Sequence, residues 1–448
     1  MKTIVTEALA NLQTTFAQID HQTKIHLDRV LQAFRDHKVG AHHFASVSGY
    51  GHNDLGRETI DRVFAQVMGA ESAAVRVQFV SGTHAIACCL FGLLRPGDEL
   101  LSVTGAPYDT LQTVIQGAQG CLTEFGIAYR ELALTGEGEI DWEGLESALT
   151  PQTKMVFIQR SCGYSWRPSL SIRDMARLIA VVKQQKPDTI CFVDNCYGEF
   201  VEDCEPTGVG ADLMAGSLIK NPGGTVVTAG GYVAGKQELV ELACTRLTAP
   251  GIGTEGGATF HQNRLLLQGL FLAPQMVASA LKSSHLAACV FSSLGYAVNP
   301  QPFMPRRDVI QAIKLGSPEL LMDFCRHLQN YSPIDSFVEP VPATMPGYDC
   351  ELIMAGGTFI DGSTAELSAD APLREPYILF LQGGTHWAHL AIVLENLSLD
   401  RFTPPPETPE PEPLPDLTSL NGESSVREVP DPHSNHHTED TETGKHGG

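Results

Sequence analysis

The 448-residue chain is 43% hydrophobic and has a mean hydropathy close to zero, which is typical of a globular protein with a sizeable core. Its formal net charge of −22 excludes the nucleic-acid backbone as a favoured partner. The eleven cysteines include no C-x-x-C pair, and no secretory signal or uncharged membrane span is found. We therefore expect a cytoplasmic protein that holds no metal and does not enter membranes.

The predicted elements begin with an N-terminal helical arm over residues 1–50. Its helical part ends near Lys38 and is followed by a loop rich in Gly, His and Ser. The next segment, Leu55–Ala70, carries apolar residues at helical spacing, and Asn53 or Asp54 can serve as its N-cap.

A large α/β domain over residues 51–258 is predicted from the strands and helices that alternate after Ala73. The predicted strands are Val75–Val80, Glu99–Val103, Ile127–Leu132, Lys154–Gln159 and Ile190–Val193, and the predicted helices are Thr83–Leu94, Leu111–Gly117, Trp142–Leu149 and Ile172–Gln185. Short apolar strands between amphipathic helices indicate a mostly parallel sheet with helices on both faces. Such sheets bind ligands at the carboxyl ends of their strands. Gly223–Gly235 is predicted to form a pair of strands.

The remaining chain is predicted to form a smaller domain and a tail. Residues 259–400 are predicted to contain a helix that ends near Leu281 and a small C-terminal α+β domain. Residues 401–448 are rich in Pro and Glu and nearly devoid of apolar residues, so we expect a disordered acidic tail.

Four motifs follow strands of the predicted sheet, and the first is Ser81-Gly82-Thr83. It follows Val80 and begins a helix, so free backbone amides and the positive end of the helix dipole favour a bound phosphate. An ordinary turn between strand and helix, capped by Ser81 or Thr83, is the alternative interpretation.

The second and third motifs contain aromatic and acidic side chains. Tyr108 follows the next strand, where its ring can stack on a planar heterocycle or simply join the core. Asp194 ends an apolar strand, and a carboxylate buried there needs hydrogen bonds or a cation such as a protonated pyridine nitrogen. Tyr197, three residues later, could reach a phenolic oxygen of the same ring. The alternative for Asp194 is a helix N-cap.

The fourth motif contains Lys220, within the segment Gly216–Gly224. Its apolar neighbours are expected to desolvate the amine, which lowers the pKa of the lysine and makes it nucleophilic. A Schiff-base lysine together with an aspartate at the ring nitrogen is the usual arrangement for pyridoxal phosphate. Ser217 could add a hydroxyl to the phosphate. A surface lysine is the alternative interpretation.

These motifs, in this order, resemble those of the fold-type-I pyridoxal-phosphate enzymes. The chain is similar to the cystathionine/methionine lyase group, in the branch named for methionine γ-lyase and for aluminium resistance. The resemblance covers roughly residues 1–400 and is carried by the following stretches: Tyr50-Gly-His-Asn-Asp-Leu-Gly-Arg57, FVSGTHAI (79–86), VDNCYGEF (193–200), SLIKNPGG (217–224) and APLREPY (371–377).

The resemblance implies pyridoxal 5′-phosphate as the cofactor and assigns roles to individual residues. Lys220 would carry the cofactor as a Schiff base and act in catalysis, Asp194 would pair with the ring nitrogen, and Tyr108 would stack on the ring. The phosphate would be held by the residues of two turns, namely Gly82, Thr83 and Ser217.

The resemblance further implies a small amino-acid substrate and a homodimer or homotetramer with shared active sites. Arg374 would bind the substrate carboxylate through a bidentate pair, although from the residues alone it could equally be a surface charge. Tyr50 would reach the active site of a neighbouring subunit. His52 stands where the better-known lyases carry a phosphate-binding arginine, which leaves Arg57 or Arg160 as replacements.

The function implied by the resemblance is a carbon–sulfur lyase that eliminates a thiol, as methionine γ-lyase or cystathionine β-lyase does. Such a reaction leaves a 2-oxo acid and ammonia. Besides His52, the segment 159–164 departs from the better-known lyases. Two alternatives stay open: another fold-type-I reaction such as transamination, and a protein that binds pyridoxal phosphate without turnover.

Overall fold

A seven-stranded sheet forms the centre of the chain in the computed structural model, which describes residues 1–345 and 347–402. The predicted disordered tail lies outside the described residues from position 403 onward. The strands of this sheet are β1 (Ser72–Arg76), β2 (Glu99–Ser102), β3 (Ala128–Glu131), β4 (Thr153–Gln159), β5 (Ile190–Asp194), β6 (Leu213–Ser217) and β7 (Gly231–Gly235).

The strand order is β1-β7-β6-β5-β4-β2-β3, and β7 is the antiparallel member. The pairs from β3 to β6 run parallel, and such pairs require crossover connections, which are usually helices. The helices are α1 (Lys2–Asn11), α2 (Gln13–Asp36), α3 (Leu55–Val67), α4 (Gly82–Leu93), α5 (Asp109–Ile115), α6 (Trp142–Ala148), α7 (Ile172–Gln185), α8 (Gln237–Leu247), α9 (Asn263–Ser293), α10 (Pro318–Asn330) and α11 (Trp387–Glu395).

Helices cover both faces of this sheet, which confirms the predicted fold class. Successive residues of a strand face opposite layers: Phe192 packs in the layer that contains α4, α5 and α8, whereas Val193 packs with α3, α7 and α9. Because both faces are buried, the inner strand β5 is a continuous apolar run up to Asp194, whereas the edge strand β3 is polar and mostly exposed. Helix α3 begins at the predicted cap, where the Asp54 side chain accepts a hydrogen bond from the Arg57 amide.

A second, antiparallel sheet follows α9 and corresponds to the predicted small α+β region. Its order is β10-β11-β12-β9-β8, and it packs with α1, α10 and α11 in a separate apolar core. Its strands are β8 (Ala297–Asn299), β9 (Gln311–Lys314), β10 (Leu352–Ala355), β11 (Ser368–Pro372) and β12 (Ile378–Gln382). All described residues belong to one compact unit, and the division at residue 258 stays a prediction.

The predicted strand pair at Gly223–Gly235 is wrong, since only its last five residues form a strand. Asn221–Gly223 is a turn of 3-10 helix, and Gly224 follows in the left-handed region with φ 54°. A Cβ atom on Gly224 would lie 2.3 Å from the carbonyl oxygen of Gly269. The glycines therefore allow the chain to approach α9 closely instead of pairing as a hairpin.

The core helix α9 extends beyond the predicted end at Leu281 because its polar residues have partners. The hydroxyl of Ser283 donates to the Ser279 carbonyl at 3.1 Å, and that of Ser284 donates to Gln311 Oε1 at 3.3 Å. Among the helices of the described residues, one, α9, is long and apolar enough to cross a membrane. Most of its residues are buried against the rest of the protein, as in a core helix.

Candidate active site

A cavity of about 220 Å³ lies where β4, β5 and β6 end, at the carboxyl edge that open α/β sheets use for ligands. The strand ends adjoin because Gln159 pairs with Asp194 in the sheet, and Asp194 pairs with Ala215 two residues before Ser217. Seven predicted site residues line this cavity: Gly82, Thr83, Tyr108, Asp194, Tyr197, Ser217 and Lys220.

Lys220 lies three residues after the end of β6, in the turn that leads to Asn221 and Pro222. Its Nζ atom lies 3.6 Å from the centroid of the Tyr197 ring. Burial lowers the pKa of this lysine, but its interaction with Tyr197, which includes a hydrogen bond to the phenol, and the nearby Cys196 and Asp194 raise it by more, so the pKa lies above its ordinary value. The expected lowering is therefore wrong for the chain alone, and the amine is a cation that must lose a proton before it can react.

Asp194 is the last residue of β5 and is 5% exposed. Its Oδ1 atom accepts a hydrogen bond of 3.1 Å from the Cys196 amide, in agreement with the expected need for partners. Burial nevertheless raises the pKa of this carboxyl. A ligand cation placed against it would therefore stabilise the ionised form, as a protonated ring nitrogen does.

The Tyr197 backbone adopts a left-handed conformation, with φ 71°. Such a conformation costs on the order of 1–3 kcal/mol for a bulky residue and is often found at functional sites. Here it turns the chain after Asp194 so that the Tyr197 ring meets the amine of Lys220. Burial raises the pKa of Tyr197 to about 12, so the phenol is neutral.

Tyr108 is fixed at the start of α5 by contacts at both ends of the residue. Its amide donates to Gln159 Oε1 at 2.8 Å, and its hydroxyl lies 2.7 Å from Thr83 Oγ1. The hydrogen bond between Tyr108 and Thr83 joins the second motif to the first. Sequence reasoning missed Gln159, although its position at the end of β4 matches that of Asp194 at the end of β5 and could have revealed it.

The two turns assigned to the phosphate meet at Gly82. Ser81 caps α4 by accepting a hydrogen bond from the His84 amide at 3.2 Å. A Cβ atom on Gly82 would lie 3.0 Å from Ser217 Cβ, so even a methyl group at position 82 would crowd Ser217. The start of α4 and the end of β6 therefore form one small concave surface of the type that binds phosphate oxygens.

Neither predicted replacement for the missing arginine lines this cavity. Arg57 is 2% exposed, and its guanidinium donates to the carbonyls of Gly51, Glu255 and Gly257. Arg160 is fully buried and pairs with Glu202 at 2.8 Å. Among the described lining residues Lys220 is the cation, so a phosphate dianion would need positive charge from elsewhere.

Arg374 and Tyr50 also lie outside the described lining of the cavity. Arg374 Nη1 lies 3.2 Å from Asp349 Oδ1 and 3.8 Å from Asp109 Oδ2. Asp109 directly follows Tyr108, so Arg374 is near the rim of the site but is engaged by carboxylates. Tyr50 is 84% exposed.

Two further rings reach the cavity from segments that the motifs did not include. Tyr164 and Tyr348 line it with ring centroids 5.8 Å apart. The Tyr164 hydroxyl donates to Asp370 Oδ2 at 2.8 Å, and Gln382 Nε2 donates to the same atom at 2.9 Å. Sequence spacing carries no signal for these contacts, because the partners lie about two hundred residues apart.

Behind the turn of Lys220 lies a buried carboxyl group, that of Glu199. Its Oε1 atom accepts a hydrogen bond of 2.7 Å from the Tyr232 hydroxyl, and its backbone carbonyl accepts one of 3.0 Å from Asn221 Nδ2. Its Oε2 atom is buried without a partner among the described residues. Burial raises the pKa of Glu199 to about 8, so the group is neutral below that pH.

We expect Glu199→Gln to flatten the pH dependence of stability. The folded pKa lies above the unfolded one, so the contribution of Glu199 is fully present below about pH 4. This stabilising contribution is lost progressively as the pH rises from about 4 through about 8. Between these limits the natural chain should lose on the order of a few kcal/mol relative to the variant.

Urea unfolding of both proteins at several pH values measures this difference. Glu255→Gln, the same change at an exposed glutamate, serves as a matched control that should leave the slope unchanged. Equal pH slopes in the natural chain and Glu199→Gln would show that Glu199 is ionised in the fold.

Comparison with known proteins places the whole described chain in one group of relatives. The sequence profile of a family described as methionine gamma-lyase matches residues 1–402. The uncharacterized protein YnbB of Bacillus subtilis is 46% identical over 394 residues, which are 87% of this chain and 94% of YnbB. The L-methionine gamma-lyase of Pseudomonas putida is 27% identical over 226 residues, which are 50% of this chain and 52% of that enzyme.

Solved structures give the same grouping. A Listeria monocytogenes protein, described as a candidate cystathionine beta-lyase involved in aluminum resistance, is 43% identical with a TM-score of 0.87, covering 90% of this chain and 100% of its own. A Clostridium novyi carbon-sulfur lyase involved in aluminum resistance is 45% identical with a TM-score of 0.84, covering 88% of this chain and 94% of its own.

Proposed function

Since the chain belongs to the methionine gamma-lyase family, a family of pyridoxal-phosphate-dependent carbon–sulfur lyases, we propose that it eliminates a thiol from a sulfur-containing amino acid. The products would be the thiol, a 2-oxo acid and ammonia. The observation that carries the proposal is the meeting of Lys220 and Asp194 in one cavity whose rim is formed by Gly82, Thr83 and Ser217.

The residues of this cavity fit pyridoxal phosphate. The Lys220 amine can form the covalent link to the cofactor aldehyde, and Asp194 would keep the ring nitrogen protonated. Tyr108 would lie against the ring, and the small surface at Gly82 and Ser217 would hold the phosphate. When bound, the cofactor supplies an electron sink for negative charge at the substrate α-carbon.

Proton transfer would be the task of Lys220. Its amine is the basic group of the cavity, and the adjacent Tyr197 ring limits where it can move. In the amine form it can remove the α-proton of the substrate and later return a proton to the product. The neutral phenols of Tyr108 and Tyr197 can donate hydrogen bonds but hold no charge that competes with Asp194.

Substrate binding would require a change at Arg374. Asp349 and Asp109 engage its guanidinium, so binding of the amino-acid carboxylate would replace at least the exposed contact with Asp349. Tyr50 would serve the active site of a second subunit, which makes a dimer or a dimer of dimers part of the proposal.

Ammonia release from a panel of amino acids tests the function. We expect cysteine, methionine or cystathionine to release ammonia and a 2-oxo acid in equal amounts from the cofactor-loaded protein, without any added oxo-acid acceptor. The reason is that these substrates carry a thiol leaving group at the β or γ carbon. Alanine has none, and we expect it to exchange its α-proton without net product.

Two results would contradict the lyase proposal. Turnover that needs an oxo-acid acceptor and releases no free ammonia would indicate transamination. A loaded protein that neither turns over any amino acid nor exchanges the α-proton of alanine would indicate a binding protein without catalysis.

A further inference from the structure

A second cavity, of about 550 Å³, lies between helices α2 and α9 and two loops, 200–204 and 303–306. It shares none of its described lining residues with the cavity of Lys220. A volume of this size is typical of sites for small organic molecules. Its apolar wall includes Ile19, Phe200 and Leu281. Three buried basic residues also line it, namely His26, His285 and Arg306.

Arg306 is a buried cation whose described partners are all neutral. It is 6% exposed, and its guanidinium donates to the Gln301 and Ser284 carbonyls and to Gln311 Oε1. No described carboxylate forms an ion pair with its guanidinium within 4.0 Å, Asp308 acts on its charge only from farther away, and its Nε atom has no described partner. The buried Arg76 and Arg160, in contrast, pair with carboxylates at 2.7 and 2.8 Å. Because a buried charge is costly without a counter-charge, an anion beside Arg306 would stabilise this wall.

The two histidines add hydrogen-bond donors to the same wall. His285 is 4% exposed and His26 is 1% exposed, and the Nδ1 atom of each lacks a partner among the described residues. Burial lowers the pKa of His285 to about 3 and that of His26 to about 4, so both rings are neutral. The Gln22 amide nitrogen lies 3.4 Å from His26 Nε2. If it donates there, the ring proton is on Nδ1, which is a donor without an acceptor.

The carboxylates near this cavity are already engaged. Glu202 pairs with Arg160 and accepts a hydrogen bond of 3.0 Å from the Ile172 amide. Asp203 accepts one of 2.6 Å from Gln22 Nε2. Asp308, which acts on Arg306 from farther away, accepts hydrogen bonds from the Ser161 and Ser169 hydroxyls at 2.7 and 2.5 Å. The unpartnered Nε donor of the Arg306 cation therefore favours a ligand with acceptor oxygens over a cation.

We propose that this cavity binds a small organic carboxylate. The carboxylate is held by Arg306 and His285, and the apolar part of the ligand contacts Ile19, Phe200 and Leu281. Because the ligand adds hydrogen-bond acceptors to buried donors, its charge contributes more to binding than its surface area does.

Isothermal titration calorimetry of the cofactor-loaded protein with sodium benzoate tests this proposal, with benzyl alcohol as an uncharged probe of similar size. We expect benzoate to bind with one site per chain, and benzyl alcohol to bind roughly tenfold more weakly or worse. Arg306→Gln should weaken benzoate by a similar factor.

Since Arg306→Gln can also disturb folding, Ile19→Trp provides a second variant, which keeps every donor and places a bulky ring where the apolar part of the ligand would lie. It should abolish benzoate binding, whereas Leu242→Trp, the same change at an exposed position of α8, should not. Benzoate binding that survives Ile19→Trp would place the ligand elsewhere, including the site of Lys220, and would overturn the proposal. Absence of binding to the natural chain, or equal affinity for both probes, would overturn it as well.

Discussion

Lys220→Ala is expected to lower the turnover of a sulfur amino acid by roughly a thousandfold or more, with the fold intact. The change removes the group that links the chain to the cofactor and also the base that moves the α-proton, and each role alone accounts for factors of roughly a hundred to ten thousand. Tyr197 loses the cation against its ring, but the turn at Asn221 and Pro222 stays. Initial rates of ammonia release with saturating cofactor measure the loss.

Lys24→Ala, at an exposed position of α2, is the matched control and should leave the rate unchanged. Circular dichroism and thermal unfolding establish that the Lys220 variant folds. A variant that folds and retains more than a tenth of the natural rate would contradict the role of Lys220 as both anchor and base.

Asp194→Asn should retain cofactor but lose roughly a hundredfold in kcat. The natural carboxylate is buried at the end of β5, where burial raises its pKa and a cation facing it would keep it ionised. An amide of the same shape cannot hold a positive charge at the ring nitrogen, so the negative charge that develops at the substrate α-carbon is stabilised less. Losses of roughly a hundredfold to a thousandfold are typical when one preorganised electrostatic group is removed.

Asp188→Asn, an exposed aspartate that precedes β5 in the same chain segment, controls for the loss of a charge. Cofactor content by absorbance and kcat by ammonia release separate binding from chemistry. If Asp194→Asn kept a near-normal kcat, the carboxylate would serve only the hydrogen bond to the Cys196 amide.

The parts of the fold and site that follow strand ends could be predicted from the sequence. Apolar runs such as Ile190–Val193 predicted buried parallel strands, and the polar residue after each run then falls at a common edge. Asp194 and Lys220 meet for this reason. Gln159 obeys the same rule, but an uncharged amide at a strand end is a weaker indication of a site than a charged or aromatic side chain.

The remaining contacts depend on tertiary packing, for which local sequence carries no signal. Tyr164 meets Asp370 across more than two hundred residues, and Arg374 faces Asp109 and Asp349 instead of the cavity. The raised pKa of Lys220 likewise arises from Tyr197, Cys196 and Asp194, whose positions around it only the fold defines. The local sequence predicts a strand at Gly224 because it carries no signal for the close approach to Gly269.

The proposed function depends most directly on the covalent attachment of pyridoxal phosphate to Lys220. Borohydride reduction of the cofactor-loaded protein, followed by proteolysis and mass spectrometry, locates the reduced pyridoxyl group on the chain. We expect a single modified peptide that contains Lys220, between Ser217 and Gly224. A pyridoxyl group on another lysine, or a chain that binds the cofactor and yields no modified peptide, would contradict it.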